Sequence, residues 1–240
     1  MSRTSAIKVL GGAAAAAGLG WAGYAAMAWS RYGKPVARPK TESPLDPFMP
    51  AYEVRELHET RVTAPADVTY ASALALDLER SALVHAIFRG RELLMGAAPA
   101  RQAEQGFLQE ILAVGWGVLA DEPGHAMVFG AVTQPWHADV KFRAIPADEF
   151  AAFGEPGYAK IAWTFWVDPL DAAASTFHTE TRVMTTDAAS RARFRLYWAI
   201  FSPGIRLIRH EILRLVREDA AHHARSVPRP LEPAGAGASE

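Results

Sequence analysis

The chain has 240 residues, half of them hydrophobic, and a formal net charge of −1. A chain of this length buries one good hydrophobic core, so we predict one folded domain with extensions. The near-neutral charge balance, with no basic face interleaved with aromatic residues, argues against binding of nucleic acid. The sequence has no cysteine, which excludes disulfides, thiolate metal sites and cysteine nucleophiles.

The amino-terminal region begins with a short basic segment, residues 1–8, and continues with residues 9–29, which carry no charge. Such a run predicts a transmembrane helix or signal anchor. The alternative is a secretory signal cleaved after Ala26-Met27-Ala28, which would make the domain secreted or periplasmic. The basic residues on the two sides of the run slightly favour a single-pass membrane protein with a cytoplasmic domain.

Small residues share one face of this first helix and would permit close pairing in a homodimer; they are Ala14, Gly18, Ala22 and Ala26. Residues 30–50 contain five prolines and predict a stiff, extended spacer that holds the domain away from a bilayer. Residues 225–240 are rich in proline, glycine and alanine and predict a disordered tail.

The folded region, residues 51–224, begins with a predicted strand over 52–62. Two helices follow at 68–78 and 81–95, and a helical turn at 107–113. The pattern then changes to alternation, which predicts antiparallel strands. These strands cover 116–120, 126–133, 139–145, 158–167 and 175–184, with a small helix at 146–153 and a turn at 168–171.

The longest amphipathic helix is predicted at 187–221. Apolar residues recur there at spacings of three and four, while arginines fall mostly between them. Thr186 or Asp187 is a suitable amino-terminal cap, and Pro203-Gly204 predicts a kink near Ser202. One face of this helix therefore requires a hydrophobic core.

The order of elements predicts an α+β fold in which helices lie on one side of a curved antiparallel sheet. Residues 52 to about 221 resemble the START-like, or SRPBCC, superfamily of polyketide-cyclase-like proteins. The segments that carry the resemblance are GWGVLADEPG, GAVTQPW, PGYAKIAW and FHTETRV. The resemblance implies a helix-grip fold, with the sheet wrapped around a long carboxyl-terminal helix and an apolar cavity between them for a hydrophobic small molecule.

Candidate cavity residues follow from the aromatic content of the strands and the long helix. Most inward aromatic residues form core, and any space left between sheet and helix is an apolar ligand site. Glu180 and Arg182 have two interpretations: a surface ladder of ion pairs with the strand at 52–62, or charges that face the cavity and bind the polar end of a ligand. The candidate residues are Trp116, Phe129, Trp136, Trp163, Phe165, Glu180, Arg182, Tyr197 and Trp198.

Other motifs for chemistry are weak. The histidines are scattered, no HExxH motif occurs, and no nucleotide-binding or nucleophile-elbow motif is present, so we predict neither a metal nor a cofactor. The main hypothesis is a membrane-tethered module that binds a lipid-like or polyketide-like molecule. The alternatives are a cyclase or dehydratase that uses polar groups of the same cavity, and a scaffold with a filled interior; the candidate polar groups are His85, Glu92, His137, Glu180 and Arg182.

Overall fold

The computed structural model describes residues 18–33, 42–78, 80–96 and 107–226. The predicted basic terminus, the first part of the predicted span at 9–29, part of the predicted spacer and residues 227–240 of the predicted tail lie outside these residues, while residues 225 and 226 of that tail are helical. The helices are α1 at 18–31, α2 Ala66–Leu74, α3 Ala82–Met95, α4 Phe107–Ala113, α5 Ala147–Phe150 and α6 Ala188–Ser226. The strands are β1 Val54–Val62, β2 Gly117–Glu122, β3 Ala126–Thr133, β4 Phe142–Arg143, β5 Ala159–Asp171 and β6 Ala174–Thr185.

The strands form one antiparallel sheet in the order β1-β6-β5-β3-β2, and β4 pairs with the end of β3. Val54 lies opposite Val183, and Val62 lies opposite Ser175, so β1 and β6 pair along the whole of β1. The strand at 52–62 is therefore a neighbour of the strand that carries Glu180 and Arg182, as the ion-pair interpretation required. Together with α6, the sheet gives the predicted α+β arrangement of a curved sheet and a long carboxyl-terminal helix.

Two local predictions were wrong. The turn predicted at 168–171 is strand, because β5 continues to Asp171 and accommodates the proline at an irregularity in the pairing with β6 between Pro169 and Asp171. A proline is tolerated where the ladder is already interrupted. The strand predicted over 139–145 is reduced to the two residues of β4.

Both faces of the sheet are covered, so the prediction that helices lie on one side only was incomplete. We call the face toward α6 and α2 the inner face and the opposite one the outer face. Residues 42–52 and α5 pack on the outer face, where Leu45, Phe150 and Ala162 share one apolar cluster. Gly130 makes this packing possible, because a Cβ there would lie 2.5 Å from Leu119 and 2.8 Å from Phe150.

α1 contains the described half of the predicted membrane span, and it lies along α6. The indole Nε1 of Trp21 donates to the carbonyl of Ile200 at 2.9 Å, and Arg195 donates to the carbonyl of Trp29. None of the helices that the structure describes combines the length and apolar character that crossing a bilayer requires. The transmembrane helix is thus not found, in keeping with the small insertion energy of alanine and glycine; the location of the protein stays a prediction.

The described part of the predicted spacer also differs from an extended linker. Leu45 and Met49 are buried beneath the outer face, and the carbonyl of Met49 accepts a hydrogen bond from Arg182 at 2.8 Å. These side chains give residues 42–50 a fixed place in the fold.

α6 begins at the predicted cap. The carboxylate of Asp187 accepts hydrogen bonds from the backbone N–H groups of Ser190, at 2.9 Å, and Gly157, at 2.6 Å. These bonds hold the pKa of Asp187 well below its usual range. The helix then continues through Pro203 without interruption to Ser226.

Candidate functional site

Two separate apolar clusters occupy the inner face. The large cluster joins α2 and the second half of α6 to the sheet, and it includes Tyr70, Phe165 and Ile212. The small cluster lies at the other end of α6 and includes Phe194 and Trp198. The two clusters share no residue, so the apolar core of the inner face is interrupted in the region between them.

Polar side chains from β1, β6 and α6 fill this region. We call them the polar belt: Glu56, His58, Thr181, Arg206 and Arg209. Along β1, Glu56 and His58 lie between Val54 of the small cluster and Val62 of the large one. Strand alternation places all four of these residues on the inner face.

Glu56 is the acidic centre of the polar belt. Its carboxylate accepts a hydrogen bond from Arg206 at 2.8 Å, and Nε2 of His58 lies 3.3 Å away without hydrogen-bond geometry. Burial raises the pKa of Glu56, but its contacts with His58 and Arg206 outweigh burial and hold that pKa below its usual range. Glu56 and Arg206 therefore form an ion pair in which the two charges compensate each other. The pair also contacts α1, because the Arg206 guanidinium lies 5.5 Å from the centre of the Tyr24 ring.

Arg209 is the uncompensated charge of the polar belt. Its Nη2 donates to Oγ1 of Thr181 at 2.7 Å, and its guanidinium lies 5.2 Å from the centre of the Trp163 ring. Among the described residues, no carboxylate oxygen lies within 4.0 Å of a guanidinium nitrogen of Arg209, which is the distance limit for an ion pair. Burial lowers the pKa of Arg209 to about 10, so the side chain remains a cation at neutral pH.

Buried polar atoms without a hydrogen-bond partner in the protein are concentrated on this side of the sheet. Of the five found among the described side chains, His58 Nε2 and Arg209 Nε belong to the polar belt, Trp136 Nε1 belongs to a ring packed against the small cluster, and Ser202 Oγ belongs to α6. A buried polar group without a partner costs about 1–3 kcal/mol, so these atoms are unsatisfied groups that need an explanation.

The seven aromatic candidates all contact the inner-side clusters. Phe129 stacks on Trp163 with ring centres 5.0 Å apart, and both belong to the large cluster with Phe165. Trp116 packs against the edge of that cluster. The small cluster contains Trp198, with Trp136 and Tyr197 packed against it. All seven thus pack in or against the core of the inner face, and the prediction that they line a cavity stays a prediction.

Glu180 and Arg182 lie on the opposite, outer face, which corrects the prediction that they face the cavity. Both Arg55 and Arg182 donate to Oε1 of Glu180 at 2.6 Å, and Arg182 also pairs with Asp46 at 2.7 Å. The guanidinium of Arg182 lies over the ring of Tyr52. Glu180 is completely buried, so this is neither a cavity charge nor the alternative surface ladder.

The polar groups proposed for an enzyme do not come together. His85 and Glu92 lie on α3, His137 lies in the segment between β3 and β4, and the remaining two are on the outer face. Within the described ranges, no group of three metal-ligating side chains is present. The five candidate groups are therefore divided between the two sides of the sheet.

An open depression of about 620 Å³ lies beside β4, away from the polar belt. Its cations have partners, because Arg143 bonds to Glu155 at 2.6 Å and Lys141 lies 3.6 Å from Asp139. The depression is lined by Val132, Gln134, His137, Ala138, Asp139, Lys141, Arg143 and Tyr158.

Sequence reasoning missed the polar belt. Arg206 and Arg209 belong to the arginines that fall between apolar positions of an amphipathic helix, a pattern that usually indicates solvent exposure. The useful signal was on β1, where Glu56 and His58 share the alternation of Val54 and Val62 and must therefore share their buried face.

No protein-family model matches the chain, and no curated protein matches its sequence. Similar solved structures include the di-domain ARO/CYC BexL, with 14% identity over 69% of this chain and a TM-score of 0.33; the chain spans 46% of BexL. Zhui aromatase/cyclase from a Streptomyces species is 13% identical over 72% of this chain and 96% of its own, with a TM-score of 0.28. Norcoclaurine synthase from Thalictrum flavum, solved with dopamine and hydroxybenzaldehyde, is 12% identical over 82% and 99%, with a TM-score of 0.28.

At such identities and TM-scores, the likeness says nothing of the ligand or the reaction of this chain.

Proposed function

We propose that this domain binds a hydrophobic small molecule on the inner side of the sheet, where the polar belt separates the two apolar clusters. The apolar part of the ligand would contact aromatic side chains, among them Trp163 and Tyr197. The single observation that carries the proposal is the concentration of buried polar atoms without protein partners beside an aromatic surface. Binding sites for small molecules combine these two features.

A neutral fluorescent probe provides the test. Nile red is expected to bind the purified chain with a blue shift and enhanced emission. Two tryptophan substitutions on α6 form a matched pair: Ile205→Trp adds volume at a half-buried position of the small cluster, and Leu207→Trp adds it at a position that is 42% exposed. We expect Ile205→Trp to weaken binding at least tenfold and Leu207→Trp to leave it unchanged.

Absence of Nile red binding to the unsubstituted chain, or equal binding by the two variants, would contradict the proposal. The first result would favour the scaffold alternative with a filled interior. Circular dichroism of both variants controls for loss of the fold.

A further inference from the structure

The charges of the polar belt do not balance. Arg206 and Glu56 compensate each other through their hydrogen bond at 2.8 Å. Arg209 adds a second cation to the same region, and Glu56 is the carboxylate whose charge acts on it. Since Glu56 is already bonded to Arg206, one positive charge is left over.

The surroundings of Arg209 make this excess unfavourable without a further partner. Thr181 accepts one hydrogen bond from Nη2, and the Trp163 ring faces the guanidinium, but neither group carries a negative charge. The Nε atom is fully buried and has no hydrogen-bond partner among the residues that the structure describes. A buried cation is costly unless it is paired and hydrogen-bonded.

We propose that Arg209 binds the carboxylate of an amphipathic acid whose apolar part lies on the inner aromatic surface. This inference rests on the proposed function and names the chemical class of its ligand. The Nε and Nη groups on one edge of a guanidinium match the two oxygens of a carboxylate, which a point charge such as an ammonium does not. Arg209 as a whole residue is only partly buried, and a ligand that reaches its buried Nε has to displace side chains of the polar belt.

Trp163 contributes to this arrangement by fixing the cation. Its Nε1 donates to Oγ1 of Thr179 at 2.7 Å, which fixes the indole ring on the inner face. Thr181, two residues further along β6, accepts the bond from Arg209 on the same face. The ring and the hydroxyl thus hold the guanidinium in place before an acid binds.

The test compares laurate with dodecanol, which has the same chain length and no charge, by displacement of Nile red at pH 7.4. A charge-assisted hydrogen bond contributes about 1.5–3 kcal/mol, so the unsubstituted chain is expected to bind laurate roughly tenfold or more tightly than dodecanol. Arg209→Met should remove this preference while keeping the affinity for dodecanol. Arg209→Lys should retain the preference in part, because lysine keeps the positive charge but lacks the two parallel N–H donors of the guanidinium.

The matched control is Arg217→Met, which removes an exposed arginine two turns further along α6 and should keep the preference for laurate. Equal affinities of the unsubstituted chain for laurate and dodecanol would overturn the inference and leave the proposed function standing. An unchanged preference in Arg209→Met would do the same. If neither compound displaces the probe, and the probe itself does not bind, the proposed function fails as well.

Discussion

The two faces of the sheet carry two charged groups that differ in how completely they are bonded. On the outer face, Glu180 is bonded to Arg55 and Arg182, and Arg182 is also bonded to Asp46 and to the carbonyl of Met49. On the inner face, the polar belt contains an arginine without a carboxylate and several polar atoms without partners. Strands β1 and β6 contribute to both groups, whereas the two arginines of the polar belt come from α6, so the difference lies in what the helix brings to the inner face.

The comparison separates a structural role from a binding role. A buried ion pair stabilises a fold only when its hydrogen bonds are complete, and the outer network meets this condition. The inner belt does not meet it within the protein alone, which is the condition of a site that a ligand completes.

The largest effect is expected from Arg182→Ala. The change leaves Asp46 without its partner and Glu180, which is completely buried, with one arginine instead of two. Breaking a buried network in this way costs about 3–5 kcal/mol, to be measured as the free energy of unfolding in urea. Arg80→Ala is the control, because that side chain is half exposed and its pair with Asp219 should contribute no more than about 1 kcal/mol. Equal losses in the two variants would show that the outer network is not special.

Acid should weaken the outer face next. Burial raises the pKa of Glu180, but the hydrogen bonds from Arg55 and Arg182 outweigh it and hold that pKa below its usual range. A carboxylate whose pKa is lower in the folded state stabilises the fold fully above its unfolded pKa of about 4.3 and loses that contribution as the pH falls through the folded value. Protonation costs less than loss of the side chain, since a carboxylic acid still hydrogen-bonds.

Urea unfolding between pH 7 and pH 3 measures this effect. Glu180→Gln should flatten the acid limb of the stability profile relative to the unsubstituted protein. An acid limb of unchanged slope would contradict the assignment of a lowered pKa to Glu180.

The smallest effect is expected from Arg209→Met on the inner face. The substitution keeps an unbranched apolar stem, loses one hydrogen bond to Thr181 and removes an uncompensated buried charge. These contributions oppose each other, so the free energy of unfolding should change by no more than about 1 kcal/mol. A loss as large as that of Arg182→Ala would show that Arg209 has a structural role and would remove the contrast between the two faces.

The sequence predicted the order of the elements well, because alternation and helical spacing are local properties. Alternation along the predicted strand at 175–184 puts Phe177, Thr179, Thr181 and Val183 on one side of β6. The sequence does not show which side of β6 faces α6, because residues on both sides of this strand are buried and neither side is clearly more hydrophobic. Glu180 and Arg182 were therefore assigned to the wrong environment.

The polar belt was missed for a related reason. Whether an arginine on a long helix faces solvent or a sheet depends on how the helix lies across the strands, and that is a tertiary property. Arg214 and Arg209 look alike in sequence, yet Arg214 pairs with Glu211 and Glu218 on the exposed side of α6. Contacts with residues distant in sequence determine which of the two arginines is buried against the sheet.

Pro203 has a consequence for how α6 loses its structure. Proline has no amide hydrogen, so the carbonyl of Ala199 lacks its helical donor at this point. Phe194 and Trp198 anchor the helix to the small cluster before the proline, and Ile212 and Val216 anchor it to the large cluster after it. Amide protons of α6 should accordingly exchange with solvent in two groups with different protection, so that the first half of the helix opens while the second half stays folded.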